Sequence, residues 1–191
     1  ELLLQTDVLS GFNALEQTKR FLQKAELLPP DMATSSGSVV YKKSLAGELV
    51  DAVSVSDADF VAVDINRTPI DDTYSLFTPE GEVGVVHAVL TSGTSSQNGV
   101  LELSRRYHPV DYTQSHTYPL KTTDQAYQEL RSGSGYIAQY TGSANAVTIR
   151  SVELGYYDDF EYQAYLQPIY VFRGDNNFLG YVPAATLSLQ Q

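Results

Sequence analysis

The sequence contains no cysteine and no tryptophan in 191 residues. Without cysteine, the chain cannot form a disulfide framework, an iron–sulfur cluster or a cysteine-ligated structural zinc site. Many cytosolic proteins lack cysteine, and the same is expected of a protein exported from a cell that makes few disulfides. The missing cysteine therefore removes three kinds of stabilising centre but does not choose the compartment.

Basic residues are scarce, because 12 Lys and Arg stand against 23 Asp and Glu, which gives a formal net charge of −11. A chain with this charge repels phosphate groups, so we expect no nucleic-acid partner and no attachment to an anionic lipid surface. We interpret the negative charge as a contribution to solubility, and the alternative interpretation is an acidic binding face. A hydrophobic fraction of 42% is typical of a folded globular chain.

Long hydrophobic runs are also missing from the sequence. The run Leu2-Leu3-Leu4 is far shorter than the roughly 20 apolar residues that a membrane span needs. The first residue is Glu1, and the only methionine is Met32. We therefore expect Glu1 to follow a cut, with a segment missing upstream of it. The three leucines either follow a removed membrane anchor or begin a packed helix.

Sequence motifs of the common catalytic and nucleotide-binding sites are absent. The chain has no G-x-x-x-x-G-K-[ST] and no G-x-G-x-x-G that opens a helix. The stretch from Gly93 to Gln97 approaches the G-x-S-x-G pattern of serine hydrolases but lacks its final glycine. We therefore expect the protein not to be an enzyme.

Three residues of the middle region deserve consideration as metal ligands. His108, Asp111 and His116 form the pattern H-x2-D-x4-H, and two imidazoles with one carboxylate can bind a divalent metal. A strong site places its histidines on one face of a fixed element, as H-E-x-x-H does, whereas this spacing falls on a loop. His87 lies within an apolar strand pattern and is interpreted as structural. We assign no metal ligand.

Pairs of carboxylates occur at three places, and glycosidases use such pairs when both acids line a cleft. Each pair here lies in a turn, where acids are usually solvated. We therefore assign no catalytic and no cofactor-binding residue. The pairs are Asp57 with Asp59, Asp71 with Asp72, and Asp158 with Asp159.

The residue pattern of the first half of the chain predicts one helix followed by strands. Ser10 is a candidate helix cap, and Pro29-Pro30 ends the helix. Asn98-Gly99 is a hairpin turn signal between the last two strands. The predicted strands cover residues 38–42, 49–55, 60–65, 81–91 and 100–107.

A proline-containing polar stretch, Pro109 to Pro119, separates this half from a second helix and a second set of strands. Thr122 begins that helix with a capping box to Gln125, and Gly133 ends it. A phase switch between Ile149 and Val152 predicts a β-bulge. The predicted strands are 136–140, 146–157, 161–172 and 178–187.

The order of elements predicts an α+β fold, with helices packed on antiparallel sheets and a tandem pseudo-repeat as an open alternative. The predicted units are residues 1–115 and residues 116–191. Twelve of the 14 tyrosines lie between Tyr107 and Tyr181. They either pack on the sheet or form a binding surface. The surface hypothesis fails if the four tyrosines at 156, 157, 162 and 165 are all buried with their hydroxyls hydrogen-bonded.

Motifs of the second unit resemble a known family over about residues 118 to 185. A helix carries the pattern A-x-x-x-L at Ala126 and Leu130, and three strands follow it. The strands are Val152-Glu153-Leu154-Gly155-Tyr156-Tyr157, Gln167-Pro168-Ile169-Tyr170-Val171-Phe172 and Tyr181-Val182-Pro183-Ala184. This segment resembles extracytoplasmic regulatory proteins of the YycH/YycI type, whose helix-plus-sheet plan PepSY-like modules share.

The resemblance implies a membrane-anchored protein with its soluble domain outside the membrane. Such proteins bind protein partners and restrain a sensor kinase, and they are not enzymes. We therefore expect a non-catalytic, extracytoplasmic interaction or regulatory domain of a bacterial envelope protein. The alternatives are a peptide- or glycan-binding envelope domain, with or without hydrolysis, and a structural spacer of a larger surface protein.

Overall fold

The computed structural model describes residues 9–91, 99–144 and 146–186. The leucine run at the start and the predicted turn at Asn98 lie outside these ranges. Within them, three helices and two five-stranded sheets form a mixed helix-and-sheet chain in which strands dominate. No helix in the described ranges has the length and apolar character needed to cross a bilayer.

Two compact units divide the chain, and neither is one continuous segment. The first comprises Glu1–Thr68 and Val83–Arg106, and the second comprises Pro69–Glu82 and Tyr107–Gln191. The chain therefore passes between the units three times. Residues 69–82 and 107–115, which the sequence-based division assigns to the first unit, lie in the second.

The first unit contains two helices and a sheet of antiparallel pairs in the order β2-β1-β3-β5-β6. The Ser10 hydroxyl accepts the N–H of Asn13, which confirms the predicted cap of the first helix. The bounds are α1 Gly11–Lys24, α2 Pro30–Ala33, β1 Ser38–Leu45, β2 Glu48–Asp51, β3 Phe60–Ile65, β5 Val86–Thr91 and β6 Val100–Arg105.

The second unit contains one helix and a sheet in the order β4-β8-β9-β10-β7. The predicted capping box of α3 is confirmed, since Thr122 Oγ1 accepts the N–H of Gln125 and Gln125 Oε1 accepts the N–H of Thr122. The predicted bulge is confirmed as a register shift between Ile149 and Ser151. The bounds are α3 Thr123–Arg131, β4 Leu76–Phe77, β7 Tyr136–Gln139, β8 Ile149–Tyr157, β9 Gln167–Gly174 and β10 Phe178–Pro183.

Apolar side chains are buried on both faces of the second sheet. On one face, Ala126 of α3 packs with Phe172, Phe178 and Val182. The other face is lined by a separate cluster that includes Phe77. The members of this second cluster are Phe77, Ile169, Val171, Leu179 and Tyr181, with Ala138 and Tyr157 packed against them.

Residues Pro69–Glu82, called the strap below, supply Phe77 and cross the second face. The strap forms β4, which pairs in parallel with Tyr156 and Tyr157 of β8. Tyr181 donates its hydroxyl to Thr78 O at 3.1 Å, and Tyr136 donates to Pro79 O at 3.0 Å. The strap is therefore an integral layer of the second unit.

Several sequence-based boundaries are wrong, mainly where an apolar pattern continues beyond a strand. Residues 81–85 and 161–166 lie outside strands, and the predicted strand 49–55 ends at Asp51 and is followed by a short 3-10 turn, Val55–Asp57. The helix α2 and the strand β4 are not predicted from the sequence. Both are very short, so they carry no periodic signal.

Candidate interaction site

The candidate metal ligands of the middle region do not form a site. Asp111 accepts hydrogen bonds from Thr113 N, Thr113 Oγ1 and Gln114 Nε2 at 3.0, 2.6 and 2.9 Å, and these bonds lower its pKa, that to the Thr113 hydroxyl most. His108 Nε2 lies 3.2 Å from Phe160 O, and His116 is exposed. In the described part of the chain, no group of three or more acidic or histidine side chains is placed to hold a metal ion.

Asp71 and Asp72 lie in a turn, as the sequence indicated, whereas the expectation is wrong for Asp158, which lies just after β8 and is only 4% exposed. Lys43 holds Asp57 at 2.7 Å, and this hydrogen bond lowers the pKa of Asp57. Asp71 and Asp72 both have φ of 52°, which is the left-handed conformation of a tight turn. Asp57 therefore pairs with a side chain of β1, and Asp71 and Asp72 shape a turn.

His87 has a carboxylate partner that the sequence analysis did not identify. Its Nδ1 lies 2.8 Å from Asp64 Oδ1, and the same oxygen accepts the N–H of Gly84 at 2.8 Å. The hydrogen bond to Asp64 raises the pKa of His87, while burial opposes the rise. Because the pair joins the neighbouring strands β3 and β5, it fits the structural interpretation of His87.

The four tyrosines that test the surface hypothesis have different environments. Tyr156 and Tyr157 are half-buried, and burial raises the pKa of Tyr157 to about 12. Tyr162 and Tyr165 are 77% and 71% exposed. The condition that would reject the surface hypothesis is therefore not met.

One edge of β8 combines exposed backbone with an adjoining groove. The N–H groups of Tyr156 and Asp158 point away from β9, since they donate to Ser75 O and Phe77 O of the strap. Strand geometry alternates every two residues, so the backbone groups of Val152 and Leu154 point to the same edge. Pro168, which has no N–H, lies opposite Tyr156 and agrees with this phase.

The strap covers only the end of β8, so an open stretch remains before it. Among the described residues, none forms a hydrogen bond with the edge-facing groups of Val152 and Leu154. Val152 is 39% exposed. The bulge at Ile149 and Ser151 closes one end of this stretch, and β4 closes the other. We call Ser151 to Gly155 the open edge.

An open groove of about 560 Å³ lies between the beginning of α3 and residues 147–152, and it meets the open edge at Ser151 and Val152. Its lining is about half apolar and half polar, and the polar residues are Thr123, Asp124, Thr148, Arg150 and Ser151. Arg150 donates two hydrogen bonds to Asp175, at 2.7 and 2.8 Å. The apolar lining residues are Tyr127, Val147, Ile149, Val152 and Phe172.

The opposite face of the open edge is charged. Glu153 accepts a hydrogen bond from Arg173 Nε at 2.9 Å, and Glu82 of the strap accepts one from Arg173 Nη1 at 2.9 Å. All three side chains are partly exposed. Two carboxylates thus share one guanidinium, which leaves a net negative charge beside β8.

The sequence predicts the strand but not the site. The motif from Val152 to Tyr157 was recognised as sheet-forming, yet its exposure depends on which strand pairs with each side. Comparisons with protein-family models, with curated proteins and with solved structures give no match for this chain.

Proposed function

We propose that the protein is a non-catalytic interaction domain that binds an extended segment of a protein partner by adding it as a strand to β8. The observation that carries this proposal is the open edge, where the backbone groups of Val152 and Leu154 have no partner among the described residues. An added strand would satisfy these groups, and alternate side chains would enter the groove. Main-chain hydrogen bonds would give affinity, and the groove would give specificity.

The geometry favours an extended segment over a helix or a small molecule. The groove is open and lies beside a strand, so a ligand placed there meets peptide donors and acceptors on one side and a mixture of apolar and polar side chains on the other. Exposed strand edges are usually blocked by charge, proline or bulges, because they otherwise pair with other chains. Here blocking elements stand at both ends of the open edge and leave its centre free.

A peptide selected from a random displayed library should bind at the open edge. We expect Val152→Pro to lower the affinity for that peptide about tenfold, because the edge-facing N–H disappears while the bonds to β9 remain. Tyr127→Ala should lower the affinity by a similar factor, because it removes one side chain that lines the groove. Fluorescence polarisation with the labelled peptide gives the dissociation constants.

Two controls separate strand addition from other binding. Tyr162→Ala removes an exposed tyrosine outside the groove and should leave the affinity unchanged. The amide protons of Val152 and Leu154 should exchange freely in the free protein and become protected when the peptide binds. Peptides that bind equally to the Val152→Pro and Tyr127→Ala variants would contradict this function.

We also propose an extracytoplasmic location in a membrane-anchored bacterial envelope protein. The resemblance of residues 118–185 to YycH/YycI-type proteins supports it, and the lack of cysteine agrees with it.

Labelling tests this location directly. In the natural host, the full-length protein carrying Tyr162→Cys should react in intact cells with a membrane-impermeant maleimide, because this side chain is 77% exposed. The unsubstituted protein gives the background. Labelling that requires cell lysis would reject the location and leave the binding site unaffected.

For the fold, we propose that α1 and α3 each cover one face of the sheet in their own unit. The buried side chains Ala14, Thr18 and Leu22 of α1 and Ala126 of α3 support this arrangement. The tandem pseudo-repeat stays a prediction. Both units place a helix before strands, but their strand orders differ.

A further inference from the structure

We infer, on the basis of the proposed function, that the segment added to β8 carries a basic residue between two apolar residues. These three residues would lie opposite Val152, Glu153 and Leu154. The inference follows from the different chemistry of the two faces at the open edge.

The apolar positions follow from the groove. Val152 and Leu154 pair with Phe172 and Tyr170 of β9, and Phe172 packs with Ala126 of α3. Directly paired residues in a sheet point to the same face. A ligand residue opposite Val152 would therefore point toward the groove beside Phe172. A ligand residue opposite Leu154 would lie on the same face, beside Leu154 and Tyr170, so both positions favour apolar side chains.

The basic position follows from the other face. Glu153 points away from the groove, and it shares Arg173 with Glu82 of the strap. Side chains directly opposite across an antiparallel pair lie about 4.5 to 5.5 Å apart at Cβ, so a lysine or arginine there would reach the second carboxylate charge. The chain's net charge of −11 acts in the same direction.

A second copy of this chain fits the open edge less well than a basic partner. If two copies of β8 paired about a twofold axis at the centre of the open edge, Glu153 would lie opposite its own counterpart. Like charges in that position destabilise a pair. The two acidic chains would also repel each other as wholes.

Three synthetic peptides test the inference on the intact protein. They carry Val-Lys-Val, Val-Gln-Val or Val-Glu-Val at the centre of the same serine- and threonine-rich flanks. At low ionic strength we expect the lysine peptide to bind about tenfold more tightly than the glutamate peptide. This preference should shrink as salt is added.

Substitution of Glu153 then identifies the residue responsible. Glu153→Lys should reverse the order of the lysine and glutamate peptides, and Glu153→Gln should reduce the preference. Arg173 keeps Glu82 as a partner in both variants. Unfolding in urea checks that both remain folded.

Each outcome supports or overturns the inference. Equal binding of all three peptides, or a preference that Glu153→Lys does not change, overturns it while the proposed function stands. If the three peptides do not bind but library-selected peptides do, the inference is also overturned while the proposed function stands. If no peptide of either kind binds, both proposals fail. Dimers in sedimentation that Val152→Pro dissociates would assign the open edge to a second copy and overturn the inference.

Discussion

A fragment of residues 107–191 is expected not to fold, although it contains α3 and four of the five strands of its sheet. The fragment lacks the strap, so Ile169, Val171 and Leu179 lose the layer that covers them. A sheet with one bare apolar face cannot offset the conformational entropy of ordering its chain. The fragment should show no cooperative transition in urea.

The matched control is the same fragment with the strap restored. Residues 69–82, joined to the fragment through a flexible linker of glycine and serine, should recover a cooperative transition. A second readout is the ionisation of Tyr181, whose pKa is raised in the intact protein by burial and then by the charge of Glu82. Without the strap this pKa should return toward its usual value. A cooperative transition of the short fragment would show that the strap is dispensable.

The fold was predictable where its signals are local. Ser10 and Thr122 cap their helices because a hydroxyl satisfies the first free N–H groups, and this needs only a few consecutive residues. The bulge beside Ile149 was visible as a change of phase in the apolar pattern.

The strap was not predictable, because the residues that pack against it lie elsewhere in the chain. Leu76 and Phe77 form a two-residue strand between turns, which is too short to show an alternation of apolar and polar residues. Phe77 is buried against strands β9 and β10, which begin only at Gln167 and Phe178. A boundary drawn at the polar stretch after Pro109 therefore assigns the strap to the wrong compact unit.

The candidate site was hidden for a similar reason. The sequence of β8 predicts a strand. Whether one side of that strand is an edge depends on whether a neighbouring strand pairs with it, and the sequence of β8 does not encode this. The strap sets that edge, because it pairs with Tyr156 and Tyr157 and leaves the preceding residues open. The pairing of His87 with Asp64 likewise depends on the register of β3 with β5.

Replacing Phe77 with alanine should give the largest effect of any single substitution considered for the second unit. The ring is 7% exposed, lies 6.0 Å from the ring of Tyr181, and has the Arg173 guanidinium 5.6 Å from its centroid. The backbone of Gly155 approaches it so closely that an added Cβ would lie 2.6 Å from the ring, so the ring fills a tightly packed space.

We therefore expect Phe77→Ala to lower the free energy of unfolding by about 3 to 4 kcal/mol, the usual cost of removing a buried phenylalanine. Urea unfolding followed by tyrosine fluorescence measures this well, because Tyr41 is the one tyrosine outside the second unit and tryptophan is absent. Tyr162→Ala, which truncates an exposed ring of the same unit, should change the stability by no more than about 0.5 kcal/mol. Equal effects of the two substitutions would mean that the strap contributes little to the core of the second unit.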